Sequence, residues 1–431
     1  MQSPLEVFGV RRQGNGTDCG SLYMEEVALE VVAARFGTPT FVYSRAALVD
    51  AYRRLDNALD AARQGRSHLV CYAVKANSNL TVLNLFARLG AGFDIVSGGE
   101  LRRVIAAGGD PAKVVFSGLG KSAEEIRFAL EKGIKCFNVE SAPELERIND
   151  IAATLGKRAP VSLRVNPDVD AQTHPYISTG LKNNKFGIAF DHALDLYRRA
   201  AQLSHLDVAG IDCHIGSQLT TMAPLLDAMG RIVSLTDRLA DEGIQLRHIC
   251  PGGGIGITYS NESTIDFSAY AQALQHCLGA RDIELLLEPG RALTGNAGLL
   301  LAKVEYVKLG EARNFLVIDA AMNDLIRPSL YQAHHEIVMV KAGQNIDERR
   351  YDVVGPVCES ADVLGHDRAL VACEGDLVAI LSAGAYGFAM SSNYNSRPRA
   401  AEVMVDGATM HLVRIRESFD DLIVHEQIPP A

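Results

Sequence analysis

Between residues 67 and 291 the chain repeats one pattern. A short, apolar, β-branched run ends in a polar or glycine-rich turn, and a longer amphipathic segment follows. The runs fall at 68–74, 92–96, 114–116, 136–139, 161–165, 208–213, 246–250 and 284–287, which makes eight. Helical periodicity fills most of the gaps, for instance at 122–132, 142–155 and 223–242. Parallel neighbours need a crossover between them, and eight strands alternating with helices are what a closed (β/α)8 barrel requires. An open doubly wound sheet is the alternative; the count of eight favours the barrel.

A helical segment at 44–64, preceded by a strand-like run at 38–43, leads into the first of these units. Beyond residue 292 the pattern changes to short strand candidates joined by turn-rich loops, at 304–308, 314–318, 351–354, 376–382, 401–405 and 409–414. The expected organisation is α/β: a barrel over 36–292, and a mainly β domain built from 293–431 together with 1–35.

Hydrophobic residues at 48% and charged residues at 22% suit a globular protein with a sizeable core. The formal charge is -10, and no run of Lys or Arg could neutralise a row of phosphates, which argues against nucleic acid. The first ten residues lack the basic start and apolar stretch of a secretory signal. The longest uncharged stretch, 377–395, is broken by Ser, Gly and Asn and does not read as a membrane span. The expected setting is the cytoplasm. Eight cysteines, at 19, 71, 136, 213, 250, 277, 358 and 373, lack zinc or redox spacing, so no metal is expected and most should sit in the core.

In a barrel of this kind the C-terminal strand ends form the working face. Here those ends carry Lys75, Ser97, Ser117, Glu140, Arg164 with Asn166, His214, Gly252-Gly253-Gly254 and Glu288. Chance would scatter chemically useful residues evenly, whereas every strand end has one. Lys75 closes a strongly apolar strand, where partial desolvation lowers an amine's pKa and frees it to condense with an aldehyde; on its own it could equally leave the strand for solvent. The glycine turn could present bare backbone N–H groups to a phosphate, or be simply a tight turn. It is not the dinucleotide fingerprint, and Gly118-Leu119-Gly120-Lys121-Ser122 lacks the first glycine of an ATP-binding loop. An imidazole at His214 could stack on a flat cofactor, although a lone histidine is more often structural. Glu288 could pair with a pyridinium nitrogen. Arg291, three residues on, could serve a phosphate or a carboxylate, and the two could also be a surface pair on a turn.

The β domain offers Cys358 beside Glu359 on a Gly/Pro loop, Tyr386 in Gly384-Ala385-Tyr386-Gly387, and Arg327 with Tyr331, four apart on one face of a helical turn. His334-His335-Glu336 lacks the spacing of a zinc helix and is expected at the surface.

Taken in order, the segments 72–77, 92–101, 138–141, 164–167, 214–218, 252–254, 288–291, 358–360 and 384–386 resemble those of diaminopimelate decarboxylases, fold-type III pyridoxal-phosphate enzymes with an alanine-racemase-like barrel and a β domain. The resemblance covers roughly residues 35–400. It implies pyridoxal 5'-phosphate as cofactor, with Lys75 as the lysine that carries it and His214 stacked on its ring. Glu288 would face the pyridine nitrogen. Ser217, Gly252, Gly253, Gly254, Gly290, Arg291 and Tyr386 would lie around the phosphate. Cys358 would be the general acid, and Arg291, Arg327, Tyr331, Glu359 and Tyr386 would recognise an amino-acid substrate. In this family the Cys358 and Glu359 positions reach the site from the partner subunit, which implies a homodimer.

The implied reaction converts meso-2,6-diaminopimelate to L-lysine and CO2. Arginines 291 and 327 suit the distal carboxylate and Glu359 the distal ammonium, whereas an ornithine or arginine site needs acidic groups for a basic tail. Decarboxylases of D-lysine or D-ornithine are the nearest alternative. A racemase would need a second base, commonly Tyr, opposite the lysine. A non-catalytic cofactor-binding protein would resemble the barrel alone.

Overall fold

The computed structural model describes residues 5, 9–13, 20–170, 185–341 and 347–430. Two compact units emerge. One contains Val49–Ile257 and Ser263–Leu293; the other contains the described residues up to Leu48, Thr258–Glu262, and the chain from Thr294 onward.

The first unit is the expected barrel. Its strands are His68–Ala73 (β1), Gly92–Ile95 (β2), Val114–Phe116 (β3), Cys136–Val139 (β4), Ala159–Asn166 (β5), Leu206–Asp212 (β6), His248–Cys250 (β7) and Glu284–Leu287 (β8). Each is parallel to the next. Pairing of Leu285 with His68 and Leu287 with Val70 brings β8 beside β1 and closes the ring. Closure leaves no free edge, and the narrow interior must be filled by side chains that fit between opposing strands. Cys71, Val115, Cys136, Cys250 and Leu286 form one such cluster, which explains why small thiols recur in these strands.

Local signals set the crossover helices. Ala123–Lys132 begins at a capping box in which the Ser122 side chain accepts from the Glu125 N–H while the Glu125 carboxylate accepts from the Ser122 N–H, and it ends at Gly133 in the left-handed conformation, φ 71°. Pro143 sits in the first turn of Ala142–Thr154 behind the Ser141 cap.

The second unit is built on the long strand Gly298–Lys308, which pairs antiparallel with Thr40–Ser44, Phe315–Ile318 and Leu377–Ile380. Ala401–Asp406 flanks Thr40–Ser44 on its other side. Leu22, Met24, Leu29 and Val32 pack with Leu299, Leu301, Leu381 and Val403 in its core.

The sequence division at residue 36 assigned the 38–43 run to the barrel. Thr40–Ser44 instead lies inside the β sheet, with all five residues buried between two partner strands. Its apolar run reads the same in either setting, and only the pairing partners distinguish the two. Val363–Leu370 and Ile337–Met339 are strands without a clear sequence signature. Among the described residues no helix is long and apolar enough to cross a membrane.

Replacing Ser122 with Ala should remove the capping box and lower stability by about 1 kcal/mol in denaturant unfolding, with no change in cofactor content.

Candidate active site

The strand ends deliver the expected residues to one face of the barrel. Lys75 lies two residues past β1, Ser97 two past β2, Ser117 one past β3, Glu140 one past β4, His214 two past β6, Gly252 two past β7 and Glu288 one past β8. Arg164 and Asn166 are in the last turn of β5.

Lys75 is partly buried, and its Nζ lies 2.7 Å from Oδ2 of Asp94, a carboxylate with no exposed surface. The parallel register sets Asp94 directly beside Ala73, so the β1–β2 pairing itself places the carboxylate where the amine arrives. The Lys75 charge acts on both Glu288, favouring its ionised form, and His214, favouring its neutral form.

His214 is held as a neutral ring. Its pKa is driven well below normal by desolvation, with the nearby Arg164 and Lys75 cations acting in the same direction. Its Nδ1 accepts from the Gly253 N–H at 3.3 Å, which leaves the proton on Nε2.

That bond revises the expectation for the glycine turn. The Gly252 N–H meets the Cys250 thiol sulfur and the Gly253 N–H meets His214, so these two are not bare donors. The glycines are required for close approach. A Cβ at Gly252 would fall on the Cys213 carbonyl oxygen, at Gly253 on the Glu288 carbonyl oxygen, and at Gly254 on the Gly216 carbonyl oxygen. Gly252 and Gly254 also have φ of 81° and 95°. Gln218 pins the far end of the turn, its Nε2 donating to the Ile257 carbonyl at 2.6 Å and its Oε1 accepting from the Ile257 N–H at 3.2 Å.

Glu288 and Arg291 are both buried, so they are not a surface pair. Arg291 Nη2 donates to the Ser217 hydroxyl at 3.0 Å. Gly290, between them, accepts from the Leu293 N–H at 3.1 Å as the chain turns into the following helix. The Asn138 amide donates both to Ser117 Oγ at 3.0 Å and to Glu288 Oε1 at 3.2 Å.

Beneath these groups the interior is acidic. Ligand atoms of Asp212, Cys250 and Glu288 converge within 4.8 Å of one another, all buried. Burial, then the charges of Asp212 and Asp94, raises the Glu288 carboxyl well above its normal value. Burial likewise pushes Asp212 up to about 7, against the pull of Arg164. Two carboxyls this close in a dry barrel cannot both ionise readily, so one proton is retained between them. Arg164 keeps its charge despite burial because Glu140 holds it at 2.8 Å. Glu140 also accepts from the Gly118 and Gly187 N–H groups, at 3.1 and 2.8 Å.

The β unit holds the remaining predicted residues. Arg327 and Tyr331 begin and end one short helix, Arg327–Tyr331. Arg327 is buried and Tyr331 partly so. Cys358 and Glu359 are exposed on a loop that the buried Asp362 carboxylate fastens, accepting from Val357 N–H at 2.8 Å and Met322 N–H at 2.7 Å. Ser329 ties that helix to this loop through the Ala361 carbonyl at 2.7 Å. Tyr386 has φ 57°, a backbone state that non-glycine residues adopt at sites where position matters more than ease. Of the other cysteines, Cys71, Cys136, Cys213 and Cys250 are buried, Cys277 is half-buried and Cys373 is exposed; Cys19 lies outside the described residues.

His335 corrects the sequence reading. It was expected at the surface with His334 and Glu336, yet it has no exposed surface and bonds to Arg327. Adjacent residues of an extended segment face opposite ways, and a row of three polar residues conceals which one turns inward. Asp94 and Asp212 were also passed over. Their signal was a charge inside an otherwise apolar run, Gly92-Phe93-Asp94-Ile95 and Gly210-Ile211-Asp212-Cys213.

Residues 45–295 match the family described as pyridoxal-dependent decarboxylase, pyridoxal binding domain. A diaminopimelate decarboxylase of Pseudomonas aeruginosa is 59% identical over 409 residues, spanning 95% of this chain and 97% of that protein. One from Vibrio cholerae is 58% identical over 417 residues, covering 96% and 99%. The chain belongs to the diaminopimelate decarboxylase family. Among solved structures, the Helicobacter pylori member of that family in complex with L-lysine superposes with a TM-score of 0.88 at 42% identity, over 91% of this chain and 98% of the other. The diaminopimelate decarboxylase of M. jannaschii in co-complex with L-lysine gives 0.92 at 37% identity over 98% of each chain.

The fold is therefore that of diaminopimelate decarboxylases, an eight-stranded parallel barrel with a mainly β unit, and the family's cofactor is pyridoxal 5'-phosphate. The residues present fit that group. A partly buried amine, a neutral imidazole, a carboxyl that retains a proton and a turn with no room for side chains surround one barrel mouth.

A carboxyl whose folded pKa is raised contributes stability that is complete below its unfolded value and is lost as pH climbs through the folded value. For Asp212 that window runs from about 4 to about 7. The cofactor-free Asp212→Asn protein should therefore gain on the wild type as pH rises from 5 to 8, by at least about 2 °C in Tm. Parallel Tm–pH curves would show that Asp212 does not hold a proton in the fold.

Proposed function

We infer that this chain decarboxylates meso-2,6-diaminopimelate to L-lysine and CO2. The observation that carries the reading is the Lys75 amine held by the buried Asp94 at the mouth of a closed barrel, in a chain 58–59% identical over nearly its whole length to diaminopimelate decarboxylases. The lysine bound in related solved structures is the product of this reaction.

Lys75 would carry the cofactor covalently, and Asp94 would hold its amine in place at the strand end. The neutral His214 ring would stack on the cofactor without adding a positive charge to the site. Glu288, braced by Asn138, would face the pyridine nitrogen and help keep it protonated. By the family resemblance, Ser217, Gly252, Gly253, Gly254, Gly290, Arg291 and Tyr386 would lie around the phosphate. When bound, the cofactor supplies an electron sink for the bond broken as CO2 leaves. The chain's own contribution is to orient the scissile carboxylate and exclude water. The Cys358 thiol then returns a proton to the carbon from which CO2 departed.

Arg291, Arg327, Tyr331, Glu359 and Tyr386 select the substrate. Guanidinium groups fork onto the distal carboxylate, and Glu359 meets the distal ammonium. Cys358 and Glu359 are exposed on their own loop, which suits residues that serve the active site of a second subunit in a homodimer. The setting we propose is the cytoplasm, where the free thiol of Cys358 stays reduced.

Lys75→Ala should abolish the visible absorption band of the lysine-bound cofactor. An unchanged band would remove Lys75 from the role. Cys358→Ala should keep that band and lose about 100-fold or more in turnover; wild-type rates would exclude it as the acid. Assayed by CO2 release across meso-diaminopimelate, D- and L-lysine, ornithine and arginine, the protein should prefer diaminopimelate. Faster turnover of D-lysine or ornithine would overturn the substrate assignment.

A further inference from the structure

Arg327 does not reach its position alone. Its Nη1 lies 2.8 Å from His335 Nε2, and the other ring nitrogen, Nδ1, lies 2.8 Å from the Leu381 carbonyl oxygen. A carbonyl only accepts, so Nδ1 carries the proton and donates it. In the neutral ring Nε2 then offers a lone pair, and the guanidinium donates to it. The Leu381 carbonyl thus selects the one tautomer that can receive an arginine.

A second contact fixes the plane of the group. The Arg327 guanidinium lies over the Tyr259 ring, 4.9 Å from its centroid, and the same ring meets His335 edge-on at 5.3 Å and 79°. Arg327, Tyr259 and His335 are 5%, 5% and 0% exposed, so the contacts are shielded from water. Tyr259 is presented by a turn built for the purpose. The Glu262 carboxylate accepts from the N–H groups of Tyr259 and Ser260, at 2.9 and 2.8 Å, while Thr258 donates its hydroxyl to the Glu262 carbonyl at 3.0 Å. Those backbone donors keep the Glu262 carboxyl below its usual value although burial acts the other way. His334, adjacent in sequence, belongs to a separate set: its Nδ1 accepts from Arg368 at 3.0 Å and its Nε2 lies 3.1 Å from the Glu336 carboxylate.

We propose that His335 and Tyr259 are positioning residues that fix the orientation of Arg327 in advance, and so determine specificity for an amino acid bearing a distal carboxylate. The inference rests on the reading of Arg327 as the residue that meets this carboxylate. An arginine side chain has many rotamers, and a carboxylate that must first collect them binds more weakly than one that meets a preset fork. A guanidinium has five N–H donors. The imidazole takes one and the phenol ring takes a face, so two separate contacts orient the group. Neither residue touches the reacting atoms in this scheme.

The test uses the holoenzyme and two ligands that differ in one group. L-lysine carries the carboxylate in question; cadaverine lacks it. Binding of each is read from perturbation of the cofactor's absorption, alongside KM and kcat for diaminopimelate. His335→Ala should weaken L-lysine and raise the diaminopimelate KM by about 10-fold, with cadaverine affinity unchanged and kcat within about twofold. His335→Gln, which keeps an oxygen acceptor for Arg327, should recover part of that loss. Tyr259→Leu should reproduce the selective weakening, whereas Tyr259→Phe keeps the ring face and should bind L-lysine as the wild type does. If His335→Ala does not fold, the Tyr259 pair decides. Equal losses for L-lysine and cadaverine, or no loss for either, overturn the clamp. Arg327→Ala is the control: should it too fail to distinguish the two ligands, the reading of Arg327 itself falls, whatever the clamp variants do.

Discussion

The 2.7 Å pair between Lys75 and the fully buried Asp94 is the contact on which the barrel site depends. A carboxylate with no exposed surface is costly to ionise unless a cation answers it, and breaking such a pair strands a charge. The pair therefore ties the position of the amine to the fold itself. Asp94 sits opposite Ala73 because β1 and β2 run parallel in that register, and the chain carries Lys75 to it two residues later. Shifting β2 by one residue would turn Asp94 out of the barrel, and shifting β1 would carry Lys75 away from it.

The rest of the barrel mouth is organised around that charge. Lys75 and Arg164 are cations near Asp94, Glu140, Asp212 and Glu288, so acid exceeds base in the interior. The excess is met by retaining a proton between Asp212 and Glu288, while desolvation and the nearby Arg164 and Lys75 cations keep His214 neutral. One arrangement thus yields a neutral imidazole, a proton held by the paired carboxyls and an amine fixed at the strand end. The glycines of the turn after β7 belong to the same economy of space. They admit the backbone of β6 and β8 so closely that Gly253 can donate to His214 and the Gly252 carbonyl can accept from the Glu288 N–H at 3.0 Å.

In the β unit, position is set by polar contacts rather than by strand ends. The buried Asp362 carboxylate fastens the Cys358 loop, and Ser329 joins that loop to the Arg327 helix. Little of this could be read from spacing. Arg327 and Tyr331 were visible as a pair four apart, and Cys358 as the cysteine beside Glu359 on a Gly/Pro loop, but the histidine that orients Arg327 lay hidden in a polar triplet. Tyr259 was equally silent, because nothing in Ile257-Thr258-Tyr259-Ser260 marks an aromatic that packs on an arginine some seventy residues on.

Periodicity by itself determined the barrel. Eight apolar runs separated by helical segments leave few topologies open, since parallel strands need crossovers and each strand end then falls on the same face. That face could be listed from sequence because a residue's place at a strand end is a local property. Tertiary structure alone decided three other matters. It put Thr40–Ser44 in the β sheet, because an apolar strand does not encode its partner. It turned His335 inward, because burial depends on what packs above a residue and not on its neighbours in the chain. It set which carboxyls hold protons, because the field at Asp212 and Glu288 is the sum of charges brought together from six different strands' ends and registers, and no window of sequence contains that sum.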